Sequence, residues 1–96
     1  MIYATHKLYD RDHQMTTFRV VETEDGLVSK IYNFECEKHS MLWYDAIVLS
    51  TKNRKNCFFE TLDKIIEYLE CNDDSRELRA YGVTYDTDGC MLTLLK

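Results

Sequence analysis

The sequence has no proline, only three glycines and a single tryptophan. Without proline and without any low-complexity run, no linker can be placed, and the chain reads as one domain over residues 1–96. Proline is also the residue that most simply blocks a strand edge. Its absence leaves the edges to be guarded by charge, by bulges or by a partner chain. Four cysteines, Cys36, Cys57, Cys71 and Cys90, include no C-x-x-C pair, so zinc-ribbon and thioredoxin-type sites have no support. The amino terminus lacks the basic-then-apolar order of a secretory leader, because Lys7, Tyr9, Asp10 and Arg11 interrupt it. No stretch approaches the ~18 apolar residues that a membrane span requires. These absences place the expected protein in the cytoplasm, with free thiols and no membrane contact. No cofactor is expected either.

Positive charge is also in deficit. Twelve Lys and Arg stand against 17 Asp and Glu, a net charge of -5, and nucleic-acid affinity rests mainly on cations that release counterions from phosphates. Nucleic acid is therefore a disfavoured partner.

The chain does contain a repeated local pattern. Two of the three glycines close Thr23-Glu24-Asp25-Gly26 and Asp86-Thr87-Asp88-Gly89, the composition of a type I turn whose glycine adopts the left-handed conformation in a β-hairpin. Around them, period-two alternation predicts strands over residues 2–9, 15–22, 27–34, 79–85 and 90–95. On the first of these, Ile2, Ala4, His6 and Leu8 alternate with Tyr3, Thr5, Lys7 and Tyr9. Phe18 and Val20 share one face of the second, and Val28, Tyr32 and Phe34 one face of the third. The run Ala46-Ile47-Val48-Leu49 is apolar on both faces and predicts a central buried strand over 43–49. Gly82, inside a predicted strand, signals a bulge or a close backbone approach.

After Phe58 the period changes. Phe58, Leu62, Ile65, Ile66 and Leu69 fall on one stripe of a helix expected from about Cys57 to Cys71, with Asn56 as its N-cap. The predicted order is β-β-β-β-α-β-β, an α+β domain with a mostly antiparallel sheet and one amphipathic helix packed on one face.

Few residues suggest chemistry. Lys52, Arg54 and Lys55 would stand just ahead of that helix, where free amides and the dipole already concentrate positive potential, while Glu67, Glu70, Asp73 and Asp74 crowd its other end. Such a reversed charge pattern suggests an anion site built from the three cations and the first helical amides. A solvated basic loop accounts for the same residues. Glu35, Glu37 and His39 would share a face of an extended segment and could offer two oxygens and an imidazole to a divalent metal, although a charged loop explains them equally. His6 and His13 have no nucleophile at a recognisable spacing. Cys57 would gain acidity at the start of the expected helix, or else serve as a small buried hydrophobe. Trp43 and Tyr44 sit where a ring can anchor a partner or simply pack.

The stretch from Phe18 to Ile31, Phe18-Arg19-Val20-Val21-Glu22-Thr23-Glu24-Asp25-Gly26-Leu27-Val28-Ser29-Lys30-Ile31, resembles the small β-rich piece that opens many metal-dependent amidohydrolases. Those enzymes continue into a barrel with a metal-binding His-x-His, and this sequence has neither. Together with Trp43-Tyr44-Asp45-Ala46-Ile47-Val48, it is similar to short, uncharacterised bacterial proteins that keep the strands without the enzyme. The resemblance implies no activity and assigns no functional residue.

The expectation is thus a non-enzymatic interaction module that engages a protein partner or itself, for instance as a homodimer. The alternative is a small-anion binding or catalytic domain using Lys52, Arg54 and Lys55, with His6, His39 or Cys57 as the reactive group. Single-stranded nucleic acid on tyrosines beside the basic loop is a third possibility, and the net charge opposes it.

Overall fold

A computed structural model describes residues 1–37, 40–71 and 75–96. Its elements in chain order are β1 (Ile2–Tyr9), β2 (Met15–Glu24), β3 (Leu27–Asn33), β4 (Met41–Ser50), β5 (Cys57–Phe59), α1 (Leu62–Tyr68), β6 (Arg79–Tyr85) and β7 (Cys90–Leu94). The strands form one sheet in the order β3-β2-β1-β4-β6-β7-β5. Every neighbouring pair is antiparallel except β1 and β4, which run parallel at the centre.

Both hairpins form where the glycines predict them, with different internal geometry. Glu24 pairs directly with Leu27, and Asp25 and Gly26 both take positive φ, 55° and 81°. That is the two-residue primed turn whose twist matches its strands, rather than a type I turn with only its glycine left-handed. At the second turn Asp86 N–H donates to Gly89 O, and Asp86 Oδ1 accepts from the Asp88 and Gly89 amides. Gly89 has φ 153°, and a Cβ there would lie 2.4 Å from Phe59 O and 2.7 Å from Phe58 Cζ. Close approach of β5 thus requires this glycine. Gly82 likewise reports a close approach, since the Tyr44 ring lies where its Cβ would be, at 2.5 Å.

The expected helix over 57–71 is corrected in its first half. Cys57, Phe58 and Phe59 pair with Leu92, Met91 and Cys90 as a short edge strand, so the element order gains a strand before the helix. Two adjacent phenylalanines favour a pleated surface, and β7 offers them an unpaired edge. The helix begins only at Leu62, and its N-cap is Thr61, whose Oγ1 accepts from Lys64 N–H, rather than Asn56. Asp63 lies in the first turn, the sign that the dipole prefers, so the reversed charge expected at that end is absent. The rest of the stripe holds in part, since Leu62 packs on the core while Ile66 is half-buried and joins no cluster among the described residues, and the helix ends at Tyr68 rather than Cys71. Ile65 and Leu69 are buried against Ala46, Val48, Tyr81, Val83, Cys90 and Leu92, each contributing about 2 kcal/mol by removal from water. Of the acidic residues expected at its far end, Asp73 and Asp74 lie outside the described residues.

A second cluster occupies the other face and shows that the sheet curls. Tyr3, Leu8, Val21, Ile47, Leu49, Ala80 and Leu95 are buried together, with Val28 of β3 packed against them. Val28 N–H donates to Leu78 O at 2.8 Å, so the edge strand β3 reaches round to the segment before β6. A register shift between Glu22 and Thr23 supplies the bend. It also separates Val28 from Tyr32 and Phe34, which pack instead on a third cluster of Ala4, Val20 and Met41.

The simple alternation expected for β1 breaks at one row. Pairing skips His6 opposite Phe18 and opposite Asp45, while the register on both sides is unchanged. Thr5 Oγ1 donates to Lys7 O and accepts from Lys7 N–H across the gap. Burial changes phase there, so Leu8 joins Tyr3 instead of Ala4, and His6 is exposed rather than partly buried.

Replacing Gly89 with alanine forces a backbone contact to yield and should lower stability by about 2 kcal/mol or more. Gly26→Ala meets nothing within 4 Å and should cost only the left-handed preference, about 1 kcal/mol. Urea denaturation of the two variants measures the difference, and equal losses would contradict the close approach of β5 to this turn.

Candidate functional site

β3 stops at Asn33, opposite Arg19. The chain then leaves the sheet plane, because β4 lies beyond β2 and β1 and can be reached only by crossing over them. Two consequences follow for β2. Its first residues, Met15, Thr16, Thr17 and Phe18, are all exposed, and among the described residues no strand pairs with their outer edge. Phe34, the first residue of the crossover, donates its N–H to Phe18 O, and no ladder continues past that bond.

Beside this open edge runs a row of aromatic rings. Phe18 meets His6 edge-on at 5.6 Å, His6 meets Trp43 at 5.1 Å, and Trp43 meets Phe34 at 5.0 Å. Trp43 Nε1–H donates to Glu37 Oε1 at 3.2 Å. Phe18 is 53% exposed and holds φ 51°. A bulky residue in left-handed conformation within a strand is a backbone outlier costing about 1–2 kcal/mol.

The expected cations lie elsewhere. Lys52, Arg54 and Lys55 occupy the loop between β4 and β5, and the helix starts seven residues after Lys55, at Leu62. The first helical amides therefore do not join them, which corrects that part of the anion site. Arg54 and Lys55 line a cleft of about 520 Å³ with Asn53, Asn56, Leu94 and Lys96. Lys52 does not line it. An adjoining cleft shares Asn53, Leu94 and Lys96 and adds Arg79. Sequence reasoning missed Lys96 and Arg79 because the sheet, not the chain, brings them to this loop.

The loop is tied to the sheet by hydrogen bonds. Buried Tyr81 donates its hydroxyl to Lys52 O at 2.5 Å and accepts from Arg54 N–H at 2.8 Å. Ser50 Oγ accepts from Lys52 N–H, and Asn56 Oδ1 accepts from Leu94 N–H. Burial pushes the Tyr81 phenol above its ordinary value, against the backbone hydrogen bond to Arg54, so it stays protonated and able to donate. The Arg54 guanidinium lies over the Tyr68 ring, 5.2 Å from its centroid, within the range of cation–π attraction.

Glu35 and Glu37 do not converge. Residues 34–37 form no strand, so alternation does not align their side chains. Glu35 lines a groove over Val20 and Met41, while Glu37 holds Trp43. His39 lies outside the described residues, and among the described residues no group of three metal-binding side chains occurs. No helix among them is long and apolar enough to cross a membrane.

Of the groups proposed for catalysis, His39 lies outside the described residues, and His6 and Cys57 stand on separate strands. His6 sits level with Asp45, and the basic loop begins at Thr51, roughly 20 Å further along β4 at about 3.3 Å per residue. Cys57 is exposed rather than buried, and it lies on β5 rather than at the helix start.

The thiol with a distinctive setting is Cys71, which sequence reasoning passed over. Burial opposes its ionisation, but a hydrogen bond with Ser50 Oγ at 3.5 Å, one from Thr51 N–H at 3.3 Å and the charge of Arg11 outweigh it. The thiol is held below its ordinary value. Cys90 moves the other way, raised by burial and by Asp86. Arg11 and His13 line the groove beside Cys71.

A depressed value enlarges the thiolate fraction at neutral pH, so the midpoint of alkylation rate against pH should lie lower for Cys71 than for the same cysteine in the urea-unfolded chain. Arg11→Ala should move that midpoint upward. Mass-spectrometric labelling over a pH series measures both, and coincident midpoints would contradict the assignment. Comparison with protein-family models, with curated proteins and with solved structures returned no match to this chain.

Proposed function

We propose that this chain is a non-enzymatic protein-interaction module that captures an extended segment of a partner protein along the outer edge of Met15–Phe18. The partner strand takes the place in the sheet that β3 vacates after Asn33, and its side chains reach the row of Phe18, His6, Trp43 and Phe34. Main-chain hydrogen bonds supply affinity in such an addition, and contacts of alternate side chains supply selectivity. The mechanism requires no cofactor. Its setting is the cytoplasm, where four free thiols stay reduced.

The observation that carries this reading is Phe18. Strained backbone persists where the surrounding structure over-determines it, and it clusters at ligand clamps. Here the strain presents a half-exposed ring where the bond from Phe34 N–H to Phe18 O ends the pairing and the open edge of Met15–Thr17 begins. Burial against a partner would compensate what the isolated fold leaves uncompensated, and aromatic anchors of this kind dominate interface energetics.

An octapeptide of alternating valine and threonine is a suitable probe. It should shift the amide signals of Met15–Phe18 and change the emission of Trp43, the single tryptophan, in a saturable manner. Phe18→Gly relieves the left-handed strain while deleting the anchor, so it should weaken binding about tenfold or more without lowering the urea midpoint. Binding that ignores this substitution, or shifts confined to β5, would refute the proposal. A concentration-dependent dimer with shifts at Met15–Phe18 would instead assign the edge to a second copy of the chain.

A further inference from the structure

A second surface carries an independent inference. In a chain with net charge -5, Arg54, Lys55 and Lys96 gather in one cleft and Arg79 lines the next. Among the described residues lining either cleft, Asp25 is the single acidic side chain. Like charges brought together repel, so such a cluster lowers stability slightly unless an anion compensates it. The backbone that presents Arg54 is not left to solvent. It is bound at Lys52 O and Arg54 N–H by the hydroxyl of Tyr81, a residue with no exposed surface. A solvated loop needs no such anchor, whereas a binding loop gains affinity from it, because less motion remains to be lost on association.

We propose that these adjoining clefts bind the diphosphate group of a small phosphorylated ligand. One phosphate lies against Arg54 and Lys55, the guanidinium giving a planar pair of donors and the ammonium a point charge. The second lies across the shared wall, within reach of Lys96 and Arg79. Asn53, common to both clefts, offers an amide donor between them. Tyr81 is a positioning residue that never touches the ligand. A cleft of about 520 Å³ falls within the range of small-molecule sites.

Calorimetry in low salt with sodium pyrophosphate, inorganic phosphate and a single-stranded oligonucleotide tests the proposal on the intact chain. Pyrophosphate should bind about tenfold tighter than phosphate. Arg54→Ala with Lys96→Ala should reduce its affinity by a further factor of about ten or more, while Lys30→Ala, which removes an exposed cation of β3, should leave it unchanged. Tyr81→Phe should weaken pyrophosphate binding without altering its stoichiometry. If that variant unfolds, the paired surface substitutions still decide the matter. Absence of heat at millimolar pyrophosphate, equal loss in Lys30→Ala, or preference for the oligonucleotide would each overturn the proposal.

Discussion

The parallel pairing of β1 with β4 is the constraint from which most of this structure follows. A hairpin can join β2 to β3, but it leaves the chain at the sheet edge, two strands away from where β4 must lie. The connection therefore crosses β2 and β1, and its first residue, Phe34, joins Tyr32 of β3 in covering Ala4, Val20 and Met41. It also shortens β3. The bare margin of β2 and the ring contacts of Trp43 both trace to that early departure. A sheet that followed sequence order throughout would have covered the first and had no occasion for the second.

The opposite end of the molecule obeys a different logic. There β4, β6 and β7 deliver polar loops from a fully packed core, and the tie between the two is the hydroxyl of Tyr81, whose ring belongs to the same cluster as Ile65 and Leu69. Core packing thus fixes loop geometry directly. The two ends lie far apart along β4, so a partner strand at one and an anion at the other would not compete for space.

The sequence was legible where a local rule had no competitor. Period-two alternation located β1 and β6 to the residue, and the glycine turns placed both hairpins. It misled at residues 57–59, where the helical stripe beginning at Phe58 is indistinguishable in spacing from a strand followed by a helix. The unpaired edge of β7 decided the matter, and no nearby residue announces that edge. The site was less legible. Arg54 and Lys55 stood out as a run, but Lys96 and Arg79 join them only through the sheet, and the row of Phe18, His6, Trp43 and Phe34 draws on two strands, a crossover and a central strand. Long-range pairing is not encoded in any window of the chain. The left-handed backbone of Phe18 has no signature of its own, since phenylalanine in an alternating stretch ordinarily signals a plain strand.

The Tyr81 anchor bears on how this family of surfaces can change over time. It grips main-chain atoms at Lys52 and Arg54, which every amino acid supplies apart from the proline nitrogen. Side chains on that loop can thus be exchanged by drift without disturbing its path, while the phenol beneath cannot. Such an arrangement separates the path of the loop from the side chains that it displays.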